Sequence, residues 1–273
     1  MPRAWVWRVL GVLGLLAATA GTAQALQPDD DPQLSPVWLK VRASLFESRA
    51  IKPAPAGLLT LEVPARAIDA AVVPLVIRTS LPASGSRRIS KLYLIIDANP
   101  SPISAIFQFT PESGRADIET RVRVDAYTHV RAIAETTDGE LFMTTRFVKA
   151  SGGCSAPPGA DAAAAAATLG QMRFRVEGDI KGMQPVRAQL MIEHPNHSGL
   201  AMDQATRQYT PPHYVRSVEI TYADRPVLTA DVDFSMSENP TFYFYLLPRG
   251  GGELRATVVD SKGMRFVAAQ TLQ

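Results

Sequence analysis

The sequence predicts an all-β protein: two tandem Ig-like β-sandwich domains with a short N-terminal helix and a flexible cysteine-bearing linker between them. Three observations predict it. Short apolar runs rich in branched and aromatic residues recur at even spacing, with no helical periodicity between them. Turn signals such as Ser84-Gly85-Ser86 and Asp138-Gly139-Glu140 separate the runs. The pattern then breaks once, at Ser151-Gly152-Gly153-Cys154-Ser155-Ala156-Pro157-Pro158-Gly159, and restarts beyond it.

At the amino end, Arg3 and Arg8 precede an apolar run from Val9 to Ala20 and the small-residue triplet Ala23-Gln24-Ala25. Residues 1–25 therefore read as a secretory signal peptide, which implies export to the periplasm and, with no second apolar stretch of about 20 residues, no membrane anchor. Removing the leader takes away two of the 28 basic residues and leaves 26 against 26 acidic ones. A neutral chain gives no electrostatic reason to expect nucleic acid as a partner. The polar stretch from Leu26 to Gln33 is expected to be disordered. Ser35-Pro36 then reads as an N-cap followed by proline at the first helical position, with Val37, Trp38, Val41, Leu45 and Phe46 on one face.

The first sandwich is assigned to residues 34–150. Leu59–Val63 alternates, and Ala71–Thr79, Lys91–Asp97, Ile103–Phe109, Ile118–Asp125, His129–Glu135 and Leu141–Val148 complete a set of about seven strands. Residues 151–169 form the arm and linker, in which Asp161 can cap six consecutive alanines and Gly170 stops them. The second sandwich covers 170–273. Met172, Phe174 and Val176 alternate with charged residues, as do Val186, Ala188, Leu190 and Ile192; Val218–Tyr222 and Leu228–Phe234 follow suit, and the aromatic run Thr241–Leu246 is expected to be buried on both faces. The two blocks end alike, in Arg146-Phe147-Val148 and Arg265-Phe266-Val267.

The chemistry centres on the one cysteine. A single thiol in an exported chain cannot form an internal disulfide, and flanking glycines leave it approachable by another protein. At about 3.3 Å per residue, the segment from Ala150 reaches about 13 Å from the sandwich. With only Lys149 as a nearby charge in sequence, an ordinary thiol pKa is expected. The bland alternative is a Gly/Ser/Pro linker whose cysteine is incidental. Two further readings concern histidines. His194 and His197, with His213, Met202 and Asp203, have donor types that suit copper or zinc, although no second cysteine completes a set and no metal is assigned. A Cys/His nucleophile would pair Cys154 with His129, His194 or His213, but a Gly-Gly-Cys-Ser loop lacks the rigid support such a site needs. Asn196-His197-Ser198 matches a glycosylation sequon. No phosphate loop or paired acidic motif is present, so neither a cofactor nor an enzymatic activity is assigned.

The run Phe147-Val148-Lys149-Ala150-Ser151-Gly152-Gly153-Cys154 resembles the carboxyl end of SoxY, the sulfur carrier of bacterial thiosulfate oxidation. The second block resembles its partner SoxZ at His194-Pro195, Ser198-Gly199 and Pro211-Pro212-His213-Tyr214-Val215. The whole is similar to SoxYZ-like carriers associated with quinoprotein dehydrogenases. This resemblance implies a periplasmic, non-enzymatic carrier with Cys154 as the covalent site and Gly152 and Gly153 as its mobile arm. Its implied partners are sulfur-oxidising enzymes or other periplasmic oxidoreductases, with a PQQ-dependent dehydrogenase system among them. The chain departs from the family where Ser155 follows the cysteine and the polypeptide continues, so the arm is tethered at both ends. The alternative functions are a non-covalent binding or maturation factor for such a dehydrogenase and a copper-binding protein.

Overall fold

The computed structural model describes residues 31–81, 85–159, 162–203 and 206–273; the expected leader and the expected cap Asp161 lie outside them. The first half runs α1 (Pro36–Phe46), β1 (Ile51–Pro53), β2 (Leu59–Glu62), β3 (Val73–Thr79), β4 (Ile89–Ile96), β5 (Ile103–Phe109), β6 (Ile118–Val122), β7 (Thr128–Thr136) and β8 (Leu141–Val148). After the cysteine segment come α2 (Ala162–Thr168), β9 (Met172–Glu177), β10 (Val186–Ile192), β11 (Val215–Tyr222), β12 (Arg225–Val232), β13 (Thr241–Leu246), β14 (Gly252–Asp260) and β15 (Arg265–Leu272).

The strands form where period-two patterning gives each one a buried face. In β3, Val73, Leu75 and Ile77 point inward while Pro74 and Arg78 face out, and β10 buries Val186, Ala188, Leu190 and Ile192 in the same way. Strand β13 departs from the expectation of burial on both faces. Phe242, Phe244 and Leu246 are buried, but Tyr243 and Tyr245 lie half-exposed on the outer face. There they stack on Arg187 (4.1 Å from guanidinium to ring) and Arg115 (4.9 Å), because a phenol can bury its ring and leave its hydroxyl in water.

The expected all-β sandwich architecture with a short N-terminal helix is what forms, and the two blocks join edge to edge. They splice into one pair of sheets. The larger has nine strands in the order β1-β8-β7-β4-β5-β12-β11-β14-β15, and the smaller six, β2-β3-β6-β13-β10-β9. The splice in the large sheet is antiparallel pairing of Ala105–Phe109 in β5 with Leu228–Val232 in β12. In the small sheet, Glu119 of β6 pairs with Tyr243 of β13, and Val122 bridges to Met236. An unpaired strand edge is a row of unsatisfied N–H and C=O groups, and each block supplies what the other's edge lacks. One hydrophobic core accordingly runs through both halves, from Leu75, Ile77 and Phe107 to Leu190, Phe242 and Val258.

Helix α1 covers the outer face of the large sheet. The Ser35 side chain accepts from the Trp38 amide (3.3 Å) as the expected cap, and Trp38, Val41 and Phe46 pack on Tyr93, Ile95 and Ile133. Val37, predicted on the same face, is instead exposed. Beneath the helix, Arg131 and Asp97 form an ion pair with both side chains fully buried, and the Arg131 guanidinium sits 4.5 Å from the Trp38 ring. Arg131 also reaches the Pro32 carbonyl, so the end of the stretch expected to be disordered is a short 3-10 turn tied to the sheet. Breaking such a buried pair leaves an uncompensated charge, at a cost of about 3–5 kcal/mol. Among the described residues, no helix is long and apolar enough to cross a membrane.

Shared sheets and a shared core predict cooperative melting. Scanning calorimetry should give a single transition whose calorimetric and van't Hoff enthalpies agree, whereas two resolved transitions would show that the halves fold independently.

Candidate functional site

Strand β8 delivers the chain to the cysteine. Beyond Val148, the Lys149 amide donates to the Ala65 carbonyl (2.9 Å) and the Ala67 amide to the Lys149 carbonyl (3.1 Å), which extends the strand past its last paired residue. The next residues meet a strip formed by Arg123-Val124-Asp125, just beyond β6. The Gly152 amide donates to the Asp125 carbonyl (2.7 Å), the Gly153 amide to the Val124 carbonyl (3.1 Å), and the Cys154 amide to Asp125 Oδ1 (3.2 Å). From the second half, the Ser198 hydroxyl donates to the Cys154 carbonyl, and further on the Gly159 amide donates to Glu238 Oε2 (2.8 Å).

These contacts correct the expectation of an open, flexible arm. Gly152 adopts a left-handed conformation (φ 78°), and Gly153 lies so close to the strip that a β-carbon there would sit 2.1 Å from the Ala70 carbonyl oxygen. The two glycines act here as a close-packing device, and Cys154 is fully buried. Nor is the thiol ordinary. Burial, with the Asp125 carboxylate close by, pushes its pKa up to about 12, and the nearby Arg123 only partly offsets this. In the docked arm the sulfur is a neutral, inert thiol. Arg123 is a functional candidate that sequence reading missed, because it is distant along the chain and only the fold brings it to Cys154.

The strip is itself clamped. Asn99 donates to the Arg123 carbonyl (2.9 Å) and to Ser235 Oγ (3.0 Å), while its Oδ1 accepts from the Asp125 amide (2.9 Å). Asn196 plays a similar part in the second half, donating to the Met236 carbonyl (2.7 Å) and accepting from the Val215 amide (2.9 Å). Asn196 is fully buried, so the folded chain cannot use the sequon as a glycan acceptor.

The histidines meet, but not as expected. His194 and His213 stack edge to face with ring centroids 4.6 Å apart, and both turn Nε2 toward Asp260 Oδ2, at 3.7 and 2.6 Å. Asp260, at the end of β14, belongs to neither predicted set. Their donor atoms lie within 4.8 Å of one another, close enough to suggest a cation. The ring chemistry argues otherwise. His194 Nδ1 accepts from the Asn196 amide (3.0 Å), so in the neutral ring the proton sits on Nε2, whereas a ligating histidine donates from its other nitrogen. Metal at Nε2 would demand an imidazolate. His213 is hydrogen-bonded to Asp260, while the buried His194 Nε2 stands just beyond hydrogen-bond reach of the same carboxylate and finds no partner among the described residues. Burial, with His213 beside it, pushes His194 down to about 4. Burial alone would raise the Asp260 carboxyl, but bonds from His213 and the Met264 and Lys262 amides hold it below the usual carboxylate range. His197 joins His213 only through the backbone, and His129 packs against Phe147 (5.0 Å between centroids). Among the described residues, no histidine is hydrogen-bonded to the Cys154 sulfur, so the Cys/His nucleophile is not assembled.

Beside the docked arm lies a cleft of about 630 Å³, walled by Pro157 and Pro158 from the arm and by His197, His213, Glu238 and Lys262.

The family models divide the chain at this arm. The model for Sulfur oxidation protein SoxY matches residues 42–154, ending on the cysteine, and that for Sulphur oxidation protein SoxZ matches 173–271. The chain carries a SoxY domain and a SoxZ domain in tandem. Among solved structures, similarity extends to the sulfur carrier protein SoxY from Chlorobium limicola f thiosulfatophilum, with 23% identity and TM-score 0.35 over 42% of this chain and 91% of that one. It extends also to a superoxide reductase (neelaredoxin) from Ignicoccus hospitalis, with 18% identity and TM-score 0.26 over 41% and 84%, and to fibronectin(III)-like modules of Clostridium thermocellum CbhA, with 9% identity and TM-score 0.22 over 78% and 91%. No curated protein matches the chain. The SoxY and SoxZ domains support a sulfur-carrier role for the fused protein.

Two outcomes follow for the site. Gly153→Ala should expel the arm, and with its main-chain hydrogen bonds worth about 0.5–1.5 kcal/mol each, the thiol should react with an aromatic disulfide reagent ~10-fold faster or more; an unchanged rate would show that the socket does not guard the sulfur. His194 takes up its proton at about 4 when folded against an ordinary value of about 6.5, so the unfolded chain binds the extra proton between those values. Stability in urea should therefore fall as pH drops from about 6.5 to about 4, by up to about 1.4 kcal/mol per unit, and His194→Asn should flatten that slope; equal slopes in the two proteins would exonerate His194.

Proposed function

We propose that the fused protein is an exported, non-enzymatic carrier that holds a sulfur-containing intermediate covalently on Cys154 Sγ and presents it to partner enzymes. The observation that carries this reading is positional. The only cysteine is the last residue of the SoxY match, and it lies in a socket to which both domains contribute. A thiol buried there at a pKa of about 12 neither loads nor discharges at neutral pH. Loading therefore goes through a state in which the glycines lift off the Val124-Asp125 strip, and the docked state shelters the sulfur between encounters.

Because Pro157 and Pro158 lead on into α2, the lifted arm is a loop closed at both ends, and it enters a partner's cleft as a hairpin. The leader at residues 1–25 supports a periplasmic location. Sulfur-oxidising enzymes are the partners proposed from the SoxY and SoxZ domains. The resemblance to carriers associated with quinoprotein dehydrogenases extends the proposal to a PQQ-dependent system. The burial of Cys154 favours one other reading, a non-covalent binding module for such a dehydrogenase, in which the cysteine is only packing.

Intact mass and peptide mapping of the protein isolated from its native host without reductant separate the two. A reducible adduct on the peptide bearing Cys154, absent from Cys154→Ser, is the result expected of a carrier. A clean thiol that also refuses thiosulfate and sulfide donors would sink it.

A further inference from the structure

Arg123 is charged, yet only 6% of its surface is exposed. Its Nε–H donates to the Met236 carbonyl (3.3 Å), and among the described residues the guanidinium has no carboxylate close enough for an ion pair. A buried cation without a counter-ion is expensive, and a fold that keeps one next to a reactive group keeps it for a ligand. Its backbone places it. Arg123 opens the strip whose next two residues bind the Gly152, Gly153 and Cys154 amides, and Asn99 and Ser235 clamp its own carbonyl and amide. A charge on Cys154 would attract it, and Glu238 and Asp69 lie within reach of its field. His197 also feels its charge, and both His197 and Glu238 line the cleft.

We propose that Arg123 is the anion-recognition residue for what Cys154 carries, so that the socket readmits the arm when the adduct ends in a sulfur oxyanion. The proposal rests on the carrier reading and adds to it the charge of the cargo. Asp125 and Asp233 also face the thiol, so an anionic adduct returning without the guanidinium would meet like charge. With it, planar N–H donors meet oxyanion acceptors in a charge-assisted bond. Neutral adducts gain nothing from this arrangement and leave the arm open.

The test compares two adducts of one size. Cys154 of the full chain is alkylated with iodoacetate, giving S–CH2–COO−, or with iodoacetamide, giving the neutral S–CH2–CONH2, with iodide leaving in each case. Hydrogen exchange at Gly152, Gly153 and Cys154 reads how tightly the arm is docked. A bond to a charged group is worth about 1.5–3 kcal/mol, so the acid should be protected ~10-fold or more over the amide. In Arg123→Gln that preference should vanish or reverse, and in Arg123→Lys it should survive in reduced form. Equal protection of acid and amide in the wild type, which needs no variant to fold, overturns the proposal. A preference that persists in Arg123→Gln overturns it too. Because the alkylated forms never carry native cargo, a failure here leaves the carrier reading standing. A failure to find any adduct on the native protein leaves this charge preference standing as a property of the socket.

Discussion

The backbone pairing of β5 with β12 is the constraint on which the rest of the molecule depends. It joins two sequence blocks, each with an incomplete edge, into one nine-stranded sheet, and it brings the end of the first block alongside the loops of the second. Without that join, Ser198 and Glu238 would have no reason to lie near residues 152–159. The socket for Cys154 is a product of sheet register. Val124 and Asp125 extend from β6, and β6 is fixed by β3 on one side and by contacts with β13 and Met236 on the other.

The socket works by desolvation. Its hydrogen bonds all go to the arm's main chain, which holds the backbone in place and gives the sulfur no stabilising partner of its own. A thiolate there loses water and gains only a nearby guanidinium, opposed by carboxylates. On the proposed carrier reading, the arrangement separates two properties needed at different moments: chemical inertness when docked and ordinary nucleophilicity when released. The glycines would serve both on that reading, since the absence of a side chain that lets Gly153 approach the Ala70 carbonyl would also leave a lifted arm supple.

What could be read from the sequence was what is local. The strands of the first half, the Ser35 cap and the alternation in β10 depend on residues near one another in the chain, and they appear where the patterns placed them. The cysteine was singled out for the same reason. Its burial was not legible, because the carbonyl of Ala70 and the strip at 123–125 reach it only through the sandwich. Gly-Gly-Cys-Ser has the same composition whether it waves in solvent or lies in a groove. His194 and His197 were read as the pair, with His213 as a third histidine nearby, whereas the rings that meet are His194 and His213; Asp260 beside them comes from the far end of β14, and the tautomer that disqualifies His194 as a ligand is set by one backbone amide. The splice of the two blocks was hidden most deeply. Edge strands and central strands share one alternation, and nothing in β5 or β12 says which neighbour each will take.

The helix α2 and the residues around it connect halves that already share two sheets and a core. The covalent link there is therefore mechanically redundant. Severed between the cysteine and β9, the same particle would persist as two polypeptides, and the arm would become a free tail able to thread a tunnel rather than fold into one. The fused chain and a two-subunit carrier differ, on this view, by a single continuous stretch of backbone. On the proposed carrier reading, what that stretch governs is the shape of the doorway through which the cysteine can pass.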